Sequence, residues 1–220
     1  ADGVKIVKTD SGQYMGKSVI LATGAKNRPL GLKDEQKFTG SGVSYCATCD
    51  GAFFRGRSVA VVGGGNTALE DAEVLAGMAE KVYLVHRRDT FRGDAANVRR
   101  LENRENVQFV LDSVPEKLIG ENVISGLGVK NVKTGESTVL SVQGVFVATG
   151  QMPDNQAFAD LIELDKSGYI QAGEDCVTSA PGIFTAGDCR TKKIRQLTTA
   201  AADGAVAALA AAEYVNGLER

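Results

Sequence analysis

The residues best suited to chemistry lie in 44–56, SYCATCDGAFFRG, where Cys46 and Cys49 stand three apart and Asp50 follows directly. Thiols at this spacing can close a small reducible disulfide, supply half a zinc site, or fall together by chance. A zinc site needs two further ligands. Cys176 and Cys189 are separated from each other by twelve residues, and His86 is the single histidine, so no metal site is expected. Redox activity is the favoured reading, because a CxxC turn lowers a thiol pKa and closes a ring that is readily reduced. Two inert thiols at chance spacing are the alternative. Asp50 is placed to pass a proton to a leaving thiolate; its other role is a turn or cap residue before Gly51. Cys176 and Cys189 read as small buried residues.

A redox pair needs an electron source, and a nucleotide motif begins fourteen residues beyond Cys49. Gly63-Gly64-Gly65-Asn66-Thr67-Ala68 fits G-x-G-x-x-A. It follows the apolar run SVAVV (58–62) and opens an amphipathic helix, the context that gives such a motif its value. Gly63 makes the tight turn, Gly65 lets the backbone approach a pyrophosphate, and Ala68 lets helix and strand pack closely. Asn66 and Thr67 open the helix, whose free N–H groups and partial positive charge face the phosphates. An NAD site would carry an acid about 20 residues on, to bind the ribose 2′-hydroxyl. Here stand His86, Arg87 and Arg88, with Arg92 one turn later. That cluster suits the 2′-phosphate of NADPH, because arginine offers a forked, permanently charged donor set. A solvated basic strand end is the plainer reading, and His86 reads as a phosphate neighbour or a packing residue.

The elements that must position these groups follow from composition and pattern. The chain has 220 residues, 25 basic and 27 acidic side chains and a net charge of −2, so nucleic acid is not an expected partner. No apolar run reaches the roughly 20 residues of a membrane span. Four cysteines do not make a secreted disulfide framework, so a reducing, cytoplasmic setting is expected. Residues 3–24 read as a hairpin and the strand SVILATG, and 25–44 as loop. A βαβ pattern spans 58–86, with Ala68, Ala72, Leu75, Ala76 and Ala79 on one helix face. A polar helix (about 93–103), the strand VQFV (107–110), β signals from 123 to 149, the buried strand PGIFTAGD and an alanine-rich helix (196–215) follow. VILATG (19–24) is echoed by VFVATG (145–150), each beside a change of domain. The predicted fold class is α/β with two Rossmann-like, doubly wound nucleotide-binding domains. The NADPH-binding domain (28–154) is inserted into an N-terminally incomplete FAD domain (1–27 and 155–220). The chain opens without Met, in what reads as the middle of a hairpin.

CATCDG, VVGGGNTALEDA, HRRDTFR, FVATGQMPD, GIFTAGDC and RQLTTAAADG together resemble the low-molecular-weight thioredoxin reductases, FAD-dependent pyridine-nucleotide disulfide oxidoreductases. The resemblance runs from Ala1 to Arg220. It implies that NADPH reduces FAD, that the flavin reduces Cys46–Cys49, and that the dithiol reduces thioredoxin. Cys49 would sit nearest the flavin, Cys46 would attack the partner disulfide, and Asp50 would donate the proton. Arg87, Arg88 and Arg92 would clamp the 2′-phosphate. Thr23, Gly24, Gly187, Asp188, Arg195, Gln196 and Leu197 would contact the flavin, with Asp188 on its ribityl chain and backbone N–H groups at the start of the last helix on its ring. The family is homodimeric, and a homodimer is expected of the full-length protein. The family's own first G-x-G-x-x-G, which holds the FAD pyrophosphate, has no counterpart here, so a truncated, FAD-deficient form is expected, exposing apolar surface in its outer domain.

Two linkers, near 25–44 and 150–156, are expected to act as hinges, since thiols and nicotinamide cannot both occupy one flavin face. The alternatives are the flavoprotein subunit of an alkyl hydroperoxide reductase system and an inactive NADPH-binding fragment.

Overall fold

In the computed structural model, residues 3–218 are described. The chain divides into two compact units, one of residues 27–150 and one built from 1–26 and 151–220.

The discontinuous unit begins with an antiparallel hairpin, β1 (Lys5–Thr9) and β2 (Gly12–Gly16), turned at Asp10 and Ser11. Next come β3 (Val19–Leu21) and β4 (Ala25–Asn27), the latter ending at the unit boundary. The predicted strand SVILATG is thus only three residues long, because the chain leaves it at Ala22 and turns through Gly24 at φ 69°. The start of the hairpin falls on residues 1 and 2, outside those described.

The continuous unit carries α1 (Glu35–Phe38), β5 (Val43–Ser44), α2 (Ala47–Asp50), a 3-10 turn at Gly51–Phe54, β6 (Ser58–Gly63), α3 (Asn66–Ala76), β7 (Lys81–Val85), α4 (Ala95–Glu102) and β8 (Val107–Val110). Then come β9 (Ser113–Gly120), β10 (Ile124–Asn131), β11 (Ser137–Leu140) and β12 (Gly144–Ala148). Five parallel strands form one sheet in the order β5-β12-β6-β7-β8, and β9 to β11 form an antiparallel meander. Parallel strands buried on both faces need no polar alternation. Val59 and Val61 join a core with Ala68, Leu69, Ala72 and Leu75 of α3, while Ala60 and Val62 join Ile124, Leu127 and Val129 of the meander. The sheet, with helices on one face and the meander on the other, is Rossmann-like.

Some local expectations change. Residues 25–44 are not all loop: α1 forms there, and the Glu35 carboxylate accepts the Leu30 and Gly31 N–H groups, each at 2.9 Å. Strand β9 was not foreseen, because Pro115, Glu116 and Lys117 hide its alternation; its length comes from pairing with β10. Helix α3 ends at Ala76, so Ala79 is buried beyond it, and Leu69 joins the apolar face.

The discontinuous unit resumes with β13 (Gln151–Pro153), which pairs with β4, and β14 (Ile183–Thr185), parallel to β3. A 3-10 turn at Gly187–Cys189 leads to α5 (Leu197–Gly217), whose Ala207 and Ala211 pack on Phe184 and Ala186. Of the eighteen large exposed apolar side chains among the described residues, fourteen lie in this unit, including Met15, Leu197 and Leu209, so its apolar surface is the less covered of the two.

Candidate active site

Cys46 and Cys49 are joined as a disulfide with their Cα atoms 5.3 Å apart. The turn expected at CATC is a short helix with Cys46 as its N-cap. The Cys49 N–H donates to Cys46 Sγ at 3.2 Å, and Thr48 Oγ1 lies 3.3 Å from the same sulfur. A helix start favours a thiolate over a thiol, so the geometry stabilises charge on Cys46. Cys46 is half-buried and Cys49 exposed.

Asp50 is held by Ser44, buried at the end of β5. Ser44 Oγ donates to Asp50 Oδ2 at 2.6 Å and accepts the Cys46 N–H at 3.1 Å. Ser44 therefore fixes the carboxylate and the cysteine backbone together. The sequence signal for it was slight, a serine two before a CxxC. Behind Cys46, Tyr45 donates to Glu35 Oε1 at 2.8 Å, and its hydroxyl is pushed up to about 12 by burial and by that bond.

The glycine turn sits in the same unit. A Cβ on Gly63 would collide with Ala148 O and stand 2.7 Å from the Ala68 Cβ, so the close packing of strand and helix requires glycine there. A Cβ on Gly64 would enter the His86 ring, whereas one on Gly65 would meet nothing within 4 Å. Gly65 thus opens onto free space at the start of α3, the place where a pyrophosphate is bound in this class of turn. Gly63→Ala is expected to destabilise the unit by about 1–3 kcal/mol through overpacking. Gly65→Ala is expected to leave its urea midpoint unchanged and weaken only nucleotide binding; equal loss of stability in both variants would remove this division of roles.

The arginine loop is fastened to the glycine turn. The Arg92 N–H donates to Gly64 O at 2.8 Å, and the Asp94 N–H donates to Asn66 Oδ1 at 2.7 Å. Asn66 is thus a loop anchor as well as the first residue of α3; Thr67 beside it is exposed, and Ala68 is fully buried. Arg87, Arg88 and Arg92 are exposed, and their guanidinium groups form no ion pair among the described residues. His86 takes the packing role. Its ring is buried, stacks on Phe91 at 5.1 Å, and has Nε2 3.1 Å from Thr90 O. Burial, and then the three arginines, lower its pKa, so the ring is neutral.

In the other unit some of the predicted flavin contacts are joined through buried Asn155, and others lie at the surface. Thr23 Oγ1 donates to Asn155 Oδ1 at 2.8 Å, and Asn155 Nδ2 donates to Cys189 O at 2.9 Å, which links the loop after β3 to the turn at Gly187–Cys189. Gly24 and Gly187 both have positive φ, 69° and 80°. Asp188 Oδ1 is buried with no hydrogen-bond partner among the described residues, which leaves it able to accept a donor from a ligand. Arg195 stacks on Tyr169 at 4.1 Å and donates to Asp188 O and Arg190 O. Gln196 caps α5, but its own N–H donates to Thr199 Oγ1 at 3.2 Å in a capping box, so that donor is not free as expected. The Leu197 side chain is exposed. Asn155 and Asp203 escaped the sequence reading: each is polar, buried, and bonded to partners remote in sequence.

Fold and site define a nucleotide-binding disulfide oxidoreductase. Residues 2–204 match the family described as pyridine nucleotide-disulphide oxidoreductase. The thioredoxin reductase of Treponema pallidum is 43% identical over 218 residues, covering 99% of this chain and 71% of that protein. A Clostridium pasteurianum protein, described as a 34.2 kDa protein in rubredoxin operon, is 42% identical, covering 99% of this chain and 70% of its own length. The crystal structure of thioredoxin reductase from Streptococcus pyogenes matches with a TM-score of 0.90 at 42% identity, covering 99% of this chain and 71% of that one. The chain belongs to the thioredoxin reductase branch of the pyridine nucleotide-disulphide oxidoreductases and spans about 70% of the length of these relatives.

Proposed function

We propose that this chain takes electrons from NADPH through FAD to Cys46–Cys49 and on to the disulfide of thioredoxin. The observation that carries this reading is the Cys46–Cys49 disulfide at the start of α2, in the same unit as the open glycine turn and the unpaired arginines. When bound, the nicotinamide and the flavin supply hydride and two-electron chemistry. Gly65 and the N-terminus of α3 would hold the NADPH pyrophosphate, and Arg87, Arg88 and Arg92 its 2′-phosphate. Asp188, Thr23, Gly24 and Gly187 would hold the FAD, and the orphaned Asp188 Oδ1 fits a ribityl hydroxyl.

The chain's own residues perform the exchange. In the dithiol, Cys46 Sγ is the thiolate favoured by the Cys49 N–H. It attacks one sulfur of the thioredoxin disulfide, forming a mixed disulfide and releasing a partner thiolate, which takes up a proton. Cys49 then attacks Cys46 Sγ, restores the Cys46–Cys49 bond and releases the second partner thiol. Asp50, oriented by Ser44, would pass a proton to or from the pair.

The domain assignments go with the ligands: residues 28–154 bind NADPH, and 1–27 with 155–220 bind FAD. The reading also includes a homodimer in the cytoplasm. Supporting these are the exposed apolar surface of the discontinuous unit and a redox CxxC suited to a reducing compartment. Among the described residues no helix is long and apolar enough to cross a membrane.

Thiol counting under denaturing conditions tests the relay. The chain has two free cysteines, Cys176 and Cys189, and one disulfide. Anaerobic incubation with FAD and NADPH is expected to raise the count from two to four, and oxidised thioredoxin to return it to two. A count held at two, while dithiothreitol yields four, would sink the proposal.

A further inference from the structure

Lys133 reaches the arginine loop from a segment remote in sequence. It lies in the turn between β10 and β11, in the antiparallel meander. Its Nζ is 3.0 Å from Asp89 Oδ2 and 2.9 Å from Asp112 Oδ2. Asp89 directly follows Arg88, and the Asp112 N–H donates to Arg88 O at 3.2 Å. Both carboxylates that Lys133 holds are thus tied to the arginine loop, one along the chain and one through a backbone bond. The turn that offers Lys133 is itself fixed. The Val132 N–H donates to Asp112 O at 2.6 Å, and Asn131 Oδ1 accepts the Lys133 and Thr134 N–H groups at 2.9 and 3.0 Å.

An acid in this loop works against a 2′-phosphate in two ways. Its charge repels the dianion, and its carboxylate competes for the same guanidinium groups. The loop nevertheless carries Asp89 between Arg88 and Arg92. Among the described residues Asp89 forms its ion pair with Lys133 and with no arginine. Its hydrogen bond to Lys133 holds the Asp89 carboxyl below its ordinary value. Asp94, at the far end of the loop, is engaged as well, capping α4 by accepting the Ala96 N–H at 2.8 Å. The acids of the loop are occupied, and the guanidinium groups are not.

We propose that Lys133 is a specificity-determining residue for NADPH: by pairing with Asp89 and Asp112 it keeps both carboxylates from the arginines and leaves the arginine charge to the 2′-phosphate. The inference rests on reading Arg87, Arg88 and Arg92 as the 2′-phosphate site. Lys133 and Asp89 are both exposed, so their pairing contributes little to the stability of the unit. Its effect falls on the charge that an incoming phosphate meets. Lys133 acts through the acids it occupies and is a positioning residue.

Calorimetric titration of the chain with NADPH and with NADH, at low ionic strength, tests this. Lys133→Gln is expected to weaken NADPH binding about five- to tenfold and to leave NADH binding within about twofold. Lys133→Arg keeps the charge and is expected to bind both nucleotides as wild type does. Adding Asp89→Asn to Lys133→Gln removes one charge of each sign, and is expected to return NADPH binding to within about twofold of wild type. Unchanged NADPH binding in Lys133→Gln overturns the proposal. So does a double variant that binds NADPH no better than Lys133→Gln alone, which would make the lysine a tie on the loop. Equal weakening of both nucleotides also overturns it, because a merely structural loss spares neither. A wild type that prefers NADPH in any of these cases leaves the reading of the arginines standing. A wild type with no preference for NADPH over NADH overturns that reading and the proposal with it.

Discussion

Replacing Arg87 and Arg88 together by alanine is expected to weaken NADPH binding by roughly 100–1000-fold and to leave NADH binding within about threefold. Both side chains are exposed beyond the end of β7, with no carboxylate partner among the described residues to satisfy them first. Their removal therefore costs the fold little, and their charge is available in full to a dianionic 2′-phosphate. The loop that carries them is held independently, by the Arg92 N–H on Gly64 O and the Asp94 N–H on Asn66 Oδ1. Truncating two side chains leaves those backbone anchors intact, so the pyrophosphate end of the site at Gly65 keeps its shape. Titration calorimetry with the two nucleotides separates the cases. Equal losses for NADH and NADPH would mean that the loop had moved, and no loss for either would leave the arginines as a solvated strand end.

The second large effect is on stability, in the other unit. Asp203, buried on α5, accepts four bonds: from the Gly187 N–H at 2.9 Å, from Arg190 Nε and a terminal guanidinium nitrogen at 2.8 Å each, and from Lys192 Nζ at 2.8 Å. The Arg190 side chain is 1% exposed and that of Lys192 is 6% exposed. Among the described residues, Asp203→Ala leaves Lys192 without a carboxylate and Arg190 with only the exposed Glu174, and is expected to cost about 3–5 kcal/mol. Arg190, above all, holds the Asp203 carboxyl far below the usual carboxylate range. A carboxyl with a depressed folded-state pKa stabilises fully above its unfolded value of about 4 and loses that contribution as pH falls toward the folded value. The stability gap between wild type and Asp203→Ala, read by urea unfolding, should therefore be flat near neutrality and shrink in acid. A gap that is constant down to low pH would show that cavity formation, not the ion pair, sets the cost. Because Asp203 also bonds Gly187, the same variant is expected to loosen the turn that carries Asp188.

What the sequence alone determined is what depends on near neighbours along the chain. The CxxC pair, the glycine turn and its helix, and the basic cluster after the next strand are all patterns of short range. Each carries its mechanical reason in its spacing, as at Gly63, where a side chain would meet Ala68 five residues on. The parallel strands were legible for a similar reason, since a run buried on both faces is apolar throughout. Strand β9 was not, because Pro115 and two charges interrupt its pattern and its partner supplies the rest.

Tertiary structure decided which polar groups meet. His86 could have faced a phosphate; packing against Gly64 and Phe91 turned its ring inward. Nothing in TTAAADGA marks Asp203 as the partner of Arg190. A buried carboxylate is stable only where donors converge on it, and those donors come from segments that only the folded chain brings together.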